Sequence, residues 1–567
     1  MRIRYSFMLS VLLILLVSTS VSQPIIISNS RLDTSEVSVY STYTQQPKKP
    51  DLQIMKITDG YGLSYHITNI GDHNIQDVIL KIDLIEGTLF HLGKTEVHIQ
   101  EIQPGTTQEI PVNLFGFTLG FYQLYPMITA TVIAEGRIQD QHGVLIRIIG
   151  PLVSIRGEYF NTPLASEGIT LFAPEYSNDA YLLDNSGSIL HHWECQFIQG
   201  LAVYLLENGN LVRSNLPGVN PRFTSGGMSG RVELYDWNSS LLWRFDYFND
   251  TVCLHHDVEP LPNGNILMIS WEYKTREEAI AKGRNPDTLR QNELWPDHII
   301  EVKPIGTNQA EIVWEWHAWN HIIQEYDTTK PGYGSIKDHP EKIDINYGSG
   351  QADWLHINSV DYNEELDQIL LSVHNFNEIW VIDHSTTTEE ARGSTGGQYG
   401  KGGDILYRWG NPQAYRRGGR EDQQLFGQHD AQWITKEYPG GGNILVFNNG
   451  GQGRSFSSVD EIIPPVNEFG IYAIQPQESY APDKAIWTYT AENPRDFYAG
   501  HISGCQRLKN GNTLICNGPQ GYFFEVTPQK QMVWLYTNPY PDIFDNHVFK
   551  IRRYALDYPG LNQLFEE

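Results

Sequence analysis

The feature that most limits how this chain can fold is a repeated turn. Leu206-Glu-Asn-Gly-Asn-Leu211, Leu261-Pro-Asn-Gly-Asn-Ile266 and Leu508-Lys-Asn-Gly-Asn-Thr513 are copies of one motif, and Gly441-Gly-Asn-Ile-Leu445 is a variant of it. Asn-Gly between apolar runs is a strong hairpin signal, because tight turns need residues that accept positive φ. A second motif closes the units: Leu241-Leu-Trp-Arg-Phe245, Ile312-Val-Trp-Glu-Trp316, Ile405-Leu-Tyr-Arg-Trp409, Ala485-Ile-Trp-Thr-Tyr489 and Met532-Val-Trp-Leu-Tyr536. Such endings suit an outer strand that fills the gap to the next unit. The units lie near residues 169–193, 201–245, 254–316, 355–409, 429–489 and 501–536. Six four-stranded units predict an all-β chain whose residues 158–567 form a six-bladed β-propeller. The first unit is weakly marked and residues 317–353 read as an insertion, which leaves five and seven blades open.

Composition agrees with many short strands joined by turns. The chain has 567 residues with 50 Gly, 30 Pro, 12% aromatic and only 19% charged residues, a profile that excludes long helical bundles and coiled coils. Before the repeats, residues 23–157 show β-branched alternation with Gly, Asn and Pro turns, as in Leu63-Ser-Tyr-His-Ile67 and Val78-Ile-Leu-Lys-Ile-Asp-Leu84. This predicts a small immunoglobulin-like β-sandwich domain with no catalytic cluster. Residues 1–22 carry Arg2 and Arg4, an apolar run from Phe7 to Val17 and small residues up to Ser22, the pattern of a secretory signal peptide. The run is shorter than the ~20 residues a membrane span needs. A secreted or periplasmic location and no membrane span after cleavage are expected.

The net charge of −27 argues against nucleic acid as a partner and gives no general attraction for anions. Any anion site must be local. Arg392, Arg408, Arg416, Arg417 and Arg420 form one candidate patch within the long segment 390–424. The same run of positive charge also suits an ordinary solvated loop. There are four cysteines, and Cys505 and Cys516 are symmetric about Asn510-Gly511. A hairpin turning there would put them opposite each other, within reach of a disulfide if the geometry allowed.

Three consecutive units place a histidine at or near the opening of the strand that should line the channel: His256-Asp257, His356-Ile357-Asn358 and His429-Asp430, with His501 opening the sixth unit. With 19 histidines in 567 residues, this recurrence in register points to a convergent cluster rather than to scattered core histidines. His255 competes with His256, since adjacent strand residues face opposite ways. Three histidines could hold zinc or copper, but no HxH or HExxH spacing is present. Alternatively, one neutral imidazole could act as a nucleophile while the others hold a tetrahedral anion. A non-catalytic propeller binding a ligand or partner in the same channel is a third reading.

Asp353-Trp-Leu-His-Ile-Asn-Ser359, Ile369-Leu-Leu-Ser372, Lys401-Gly-Gly-Asp-Ile-Leu-Tyr-Arg-Trp-Gly-Asn-Pro412, Gln428-His429 and Asn443-Ile-Leu-Val-Phe-Asn-Asn-Gly-Gly451 resemble the bacterial PAPS-independent aryl sulfotransferases. The similarity covers most of residues 160–540. It implies an enzyme that moves a sulfuryl group from an aryl sulfate donor to a phenolic acceptor through a sulfohistidine, with no cofactor or metal and a homodimer as a possible assembly. By position, the resemblance makes His429 the nucleophile. It has His356 and His256 bind sulfuryl oxygens or assist the leaving phenolate, and makes Asn358 a supporting donor, with His501 beside them. Where that family has an arginine after the Ser372 position, this chain reads Ser372-Val373-His374-Asn375. Either His374 stands in for the arginine, alone or helped by Arg408 or a loop arginine, or the chain takes a different donor, or transfer activity is lost. Trp354 and Trp433 are candidates for stacking an aryl ring or for packing the blades.

Overall fold

The computed structural model describes residues 51–86, 91–92, 95–117, 127–175, 177–451, 453–541 and 545–566, and these belong to one compact unit, Lys49–Glu567. The leader read at residues 1–22 lies outside the described residues.

Each Asn-Gly-Asn motif forms the same three-residue hairpin loop. Leu206, Leu261 and Leu508 donate their N–H to the carbonyls of Asn210, Asn265 and Asn512 at 2.8 Å, and Gly209, Gly264 and Gly511 take φ of 82°, 84° and 90°. Only glycine adopts this conformation without a Cβ penalty. These loops join the first and second strands of their blades; five blades are separate four-stranded sheets, and the sixth is the four-stranded end of a larger sheet.

In blades 2 to 6 the first strand of the blade is the inner one: Gln199–Leu205, Val252–Pro260, Ile357–Asn363, His429–Trp433 and Gly504–Arg507. Blade 1 differs. Its own residues supply Ile169–Phe172, Asp179–Leu183 and Ile189–Glu194, and its inner strand is Arg552–Tyr554 from the other end of the chain, with Ile169 opposite Tyr554. The ring is therefore closed by strand pairing between its two ends. This explains the weak signature of the first unit, which lacks the sequence of its inner strand.

The aromatic endings knit the blades together. The outer-strand indole of each blade donates to the third-to-fourth-strand connection of the next: Trp193 to Asp236 O (3.0 Å), Trp243 to Gln309 O (2.8 Å), Trp314 to Thr386 Oγ1 (3.1 Å), Trp409 to Pro482 O (2.6 Å), Trp487 to Pro528 O (2.9 Å) and Trp534 to Asn185 O (3.2 Å). The sixth bond returns to blade 1, so the contact runs all the way round. Each bond adds about 1 kcal/mol net, and each aromatic body fills the wedge between sheets that splay outward.

Ahead of the propeller, a three-stranded sheet (Leu52–Thr58, Leu63–Asn69, Thr107–Val112) and a larger sheet enclose an apolar core that includes Leu52, Tyr65, Val78, Ile128 and Ile146. The strand Leu152–Asn161 runs through residue 157 and pairs with the outer strand of blade 6, Tyr159 opposite Tyr536 and Asn161 opposite Trp534. One sheet thus passes from the sandwich into the propeller and covers the outer edge of that blade.

Two expectations are corrected. All four cysteines are free and buried. The three-residue loop pairs Cys505 with Ile515 and Cys516 with Gly504, one residue off the symmetry about Asn510-Gly511. Neighbouring strand positions face opposite ways: Cys505 packs among Phe447, Phe497 and Phe524, whereas Cys516 packs among Phe172, Phe523 and Trp534. The arginine patch is also largely neutralised. Arg392 pairs with Glu315 and Glu389, Arg416 with Asp344 and Glu325, and Arg417 donates to the carbonyls of Lys337 and Glu478.

Candidate active site

The inner strands bulge where they reach one end of the channel. Register shifts occur between Leu254 and Val258, between Ile357 and Ser359, and between His429 and Gln432. His256, His356 and Asp430 adopt left-handed φ of 55°, 55° and 50°. Such backbone costs on the order of 1–3 kcal/mol per residue and accumulates at functional sites. Here it aims side chains inward.

The result is a chain of four imidazoles. His256 and His356 lie 4.5 Å apart between ring centroids, His356 and His374 5.2 Å, and His374 and His429 5.4 Å. Phe549 forms the apolar floor, 6.1 Å from His256 and 6.4 Å from His429. His256 and His429 are each only 3% exposed, while the His356 side chain, at 16%, is the most accessible of the three.

Each ring is held at Nδ1. His429 Nδ1 lies 2.8 Å from Asn449 Oδ1 and 3.2 Å from Gly427 O. Asn449 donates Nδ2–H to the carbonyls of Ala499 and Ile502, which turns its Oδ1 to the histidine. His429 must therefore carry its hydrogen on Nδ1, leaving the Nε2 lone pair free. His356 Nδ1 is 2.5 Å from Asp353 Oδ2, and Asp353 is fixed by Ser225 Oγ and Trp271 Nε1. Burial works to raise the Asp353 carboxyl, but His356 and Ser225 hold it below the usual range. Asn375 donates to Asp353 O and offers Oδ1 to His374 Nδ1 at 2.9 Å. Behind His256 stands His255, Nδ1 to Nδ1 2.8 Å, stacked on Trp271 with its Nε2 2.9 Å from Asp297 Oδ1. His255 is thus the backing group and His256 the channel group. Burial pushes His256 and His429 well below the ordinary histidine range and His374 down to about 4. His256, His374 and His429 are therefore neutral rings.

Beneath the rings, the C-terminal segment plugs the channel with charge. Lys550 Nζ donates to Asp257 Oδ2 and to Tyr204 Oη, both at 2.6 Å, and lies 3.4 Å from Asp430 Oδ1. Arg552 donates to both oxygens of Asp430 at 3.0 and 2.7 Å. The aspartates next to His256 and His429 are therefore anchors of the inner strands.

Other residues named from the sequence take different places. His501 is an exposed rim residue, 6.3 Å from His547. Asn358 is fully buried and spends its Nδ2 on Gln428 O at 2.8 Å, so it positions the segment entering His429 instead of donating to a ligand. Arg408 is not at the site: it is buried in blade 4, paired with Glu378 and donating to the carbonyls of Pro340 and Lys342. Its place on an outer strand, Tyr407–Trp409, carries it away from the channel. Trp354 is 1% exposed and donates to Tyr347 O, a packing residue.

A cleft of about 410 Å³ opens beside Asp353 and is lined by Ser225, Arg290, Gln291 and Trp295. Sequence reasoning passed over Arg290, Trp295, Phe549, Asp353 and Asn449. The last two stood inside the quoted motifs, Asp353 three residues before His356 and Asn449 in Asn-Asn-Gly-Gly, and could have been read as orienting partners. Phe549 lies outside every repeat.

An all-β propeller whose inner strands converge buried histidines around a polar cleft is an enzyme-like scaffold, and comparison gives it a family. Residues 161–540 match the arylsulfotransferase (ASST) family, and the chain belongs to that family. No curated protein matches the chain. Solved structures with a related chain course include a protein of unknown function from Bacteroides caccae (11% identity, TM-score 0.38, covering 68% of this chain and 99% of that one). The β-propeller domain of Cps50 from Myceliophteria thermophila (8%, 0.34, 70% and 95%) and virginiamycin B lyase from Staphylococcus aureus (8%, 0.32, 66% and 85%) are others. Among the described residues no helix is long and apolar enough to cross a membrane.

Proposed function

We propose that this arylsulfotransferase works by ping-pong transfer through a sulfohistidine at His429, taking the sulfuryl group from an aryl sulfate and giving it to a phenol. The observation that carries this reading is the fixed tautomer of His429: Nδ1 is engaged by Asn449 and Gly427, and burial keeps the ring neutral. Its Nε2 lone pair attacks sulfur, the N–S bond forms as the S–O bond to the aryl group breaks, and the aryl oxide takes a proton from Nε2 of His356, which enters the step as the imidazolium, protonated from solvent, with its Nδ1–H held by the Asp353 carboxylate. Asp353 behind His356 stabilises that ring when it is charged, the role a buried carboxylate plays behind any acid-base histidine. In the second half, His356 takes the proton of the incoming phenol, whose oxygen attacks sulfur and frees His429.

His256 and His374 receive the sulfuryl oxygens. Neutral His374 carries its hydrogen on Nδ1, so it donates from Nε2 only once protonated, a state an anion beside it favours. Arg290 in the adjoining cleft supplies fixed positive charge, and Trp295 and Phe549 supply apolar faces for the aryl ring. The leader-like N terminus supports export to the periplasm or outside the cell. Incubation with 4-nitrophenyl sulfate and a phenol should release nitrophenolate and form the aryl sulfate of the acceptor. Loss of both in H429Q with unchanged folding is expected, and wild-type protein that releases nothing would overturn the proposal.

A further inference from the structure

Blade 3 brings together a second group of ligand-type side chains, away from the channel. Glu272 ends the second strand (Ile266–Glu272), His298 is the second residue of the third (Asp297–Ile305), and His317 ends the fourth (Gln309–His317). His298 and His317 are direct cross-strand partners, so their rings share one face and lie parallel, 4.9 Å apart at 3°. Each of the three residues offers one ligand atom, and these atoms lie within 4.8 Å of one another.

The group is buried and incompletely satisfied. His298 is 1% and Glu272 8% exposed. His298 Nε2 faces the Tyr247 hydroxyl at 3.3 Å, but its Nδ1 has no hydrogen-bond partner, and neither does Glu272 Oε1. Leaving such atoms unpaired costs roughly 1–3 kcal/mol each, a cost that a bound cation would remove. Lys274 Nζ, 2.8 Å from Glu272 Oε2, is the competing cation, and it engages the oxygen opposite the unpaired one.

We propose that Glu272, His298 and His317 form a divalent transition-metal site, with zinc the best match to two imidazoles and one carboxylate. Bound there, the ion would tie the second, third and fourth strands of blade 3 together at one end. Asp297, the neighbour of His298, lies 2.9 Å from the His255 that backs His256, so the ion would also steady that support.

The test uses the full chain stripped with a chelator and titrated with zinc chloride calorimetrically, with cobalt(II) absorption as a second readout. Wild type is expected to bind one equivalent and to gain thermal stability from it. H317Q alters a partly exposed residue, which spares the fold, and should weaken binding by more than the roughly 10–100-fold that loss of an outer partner costs; H298Q should do the same. The channel variant H356Q/H429Q should still bind. Absence of zinc binding to wild type, or binding that survives H317Q and is lost in H356Q/H429Q, would overturn the proposal.

Discussion

Asn449 Oδ1 sits 2.8 Å from Nδ1 of His429, and the amide that holds it there is pinned by two backbone carbonyls, those of Ala499 and Ile502. The tautomer of His429 is thus set by a fully buried amide. Asn449→Ala should lower kcat by about 100-fold or more, with little change in KM, because the ring loses its fixed hydrogen while the channel keeps its shape. Steady-state kinetics with 4-nitrophenyl sulfate, alongside a thermal melt, checks this.

A glycine guards the geometry of His256. Gly227 has φ of 82°, and a Cβ added to it would overlap the imidazole of His256. Gly227→Ala should therefore displace that ring and abolish most transfer activity while the propeller stays folded. Activity equal to wild type would show that the position of His256 does not matter for transfer.

The His374 position sets the affinity for the anion. Nε2 of His374 gains a hydrogen only on protonation, against a burial that holds its pKa at about 4. His374→Arg supplies a permanent charge, and a charge-assisted hydrogen bond is worth about 1.5–3 kcal/mol. The KM for aryl sulfate should fall by roughly 10–100-fold, read directly from initial rates.

The plug of the channel is expected to dominate stability. Removing the ammonium of Lys550, which serves Asp257 and Asp430, leaves the Asp257 carboxylate buried without its cation, while Asp430 keeps Arg552. Lys550→Met should cost about 3–5 kcal/mol, measured by denaturant unfolding.

The fold was legible where a blade is built from adjacent sequence. The Asn-Gly-Asn loops and Trp endings mark their strands because each hairpin satisfies itself locally. Blade 1 was obscure because its inner strand, Arg552–Tyr554, comes from the far end of the chain. The histidine register was readable since His256, His356 and His429 sit at or near the bulged part of the inner strand in three consecutive blades. Arg408 misled, because charge alone does not tell an outer strand from an inner one. The cysteine pairing failed on a single residue of loop length, which decides which face each side chain takes.

Acid should loosen the protein before it denatures the rest. His142 is pushed down to about 3 and His374 to about 4 by burial, so the unfolded chain binds more protons than the folded one below about pH 6.5. Stability then rises with pH through that window, and the Tm should fall steadily from pH 7 to pH 4. His384 has the opposite sign. Although burial works to lower it, its bonds to Asp367 and Glu301 raise it to about 9, so its contribution is complete below about pH 6.5 and lost as pH rises through 9. His384→Gln should flatten the alkaline side of the Tm profile.

Sulfuryl transfer of this kind passes through a covalent histidine. The most direct measurement is mass spectrometry of protein quenched after exposure to 4-nitrophenyl sulfate without an acceptor. An acid-labile adduct of sulfuryl mass on the peptide containing His429, absent from H429Q and discharged by added phenol, is the predicted result. Turnover with no adduct on that peptide, or with the adduct on another residue, would contradict it.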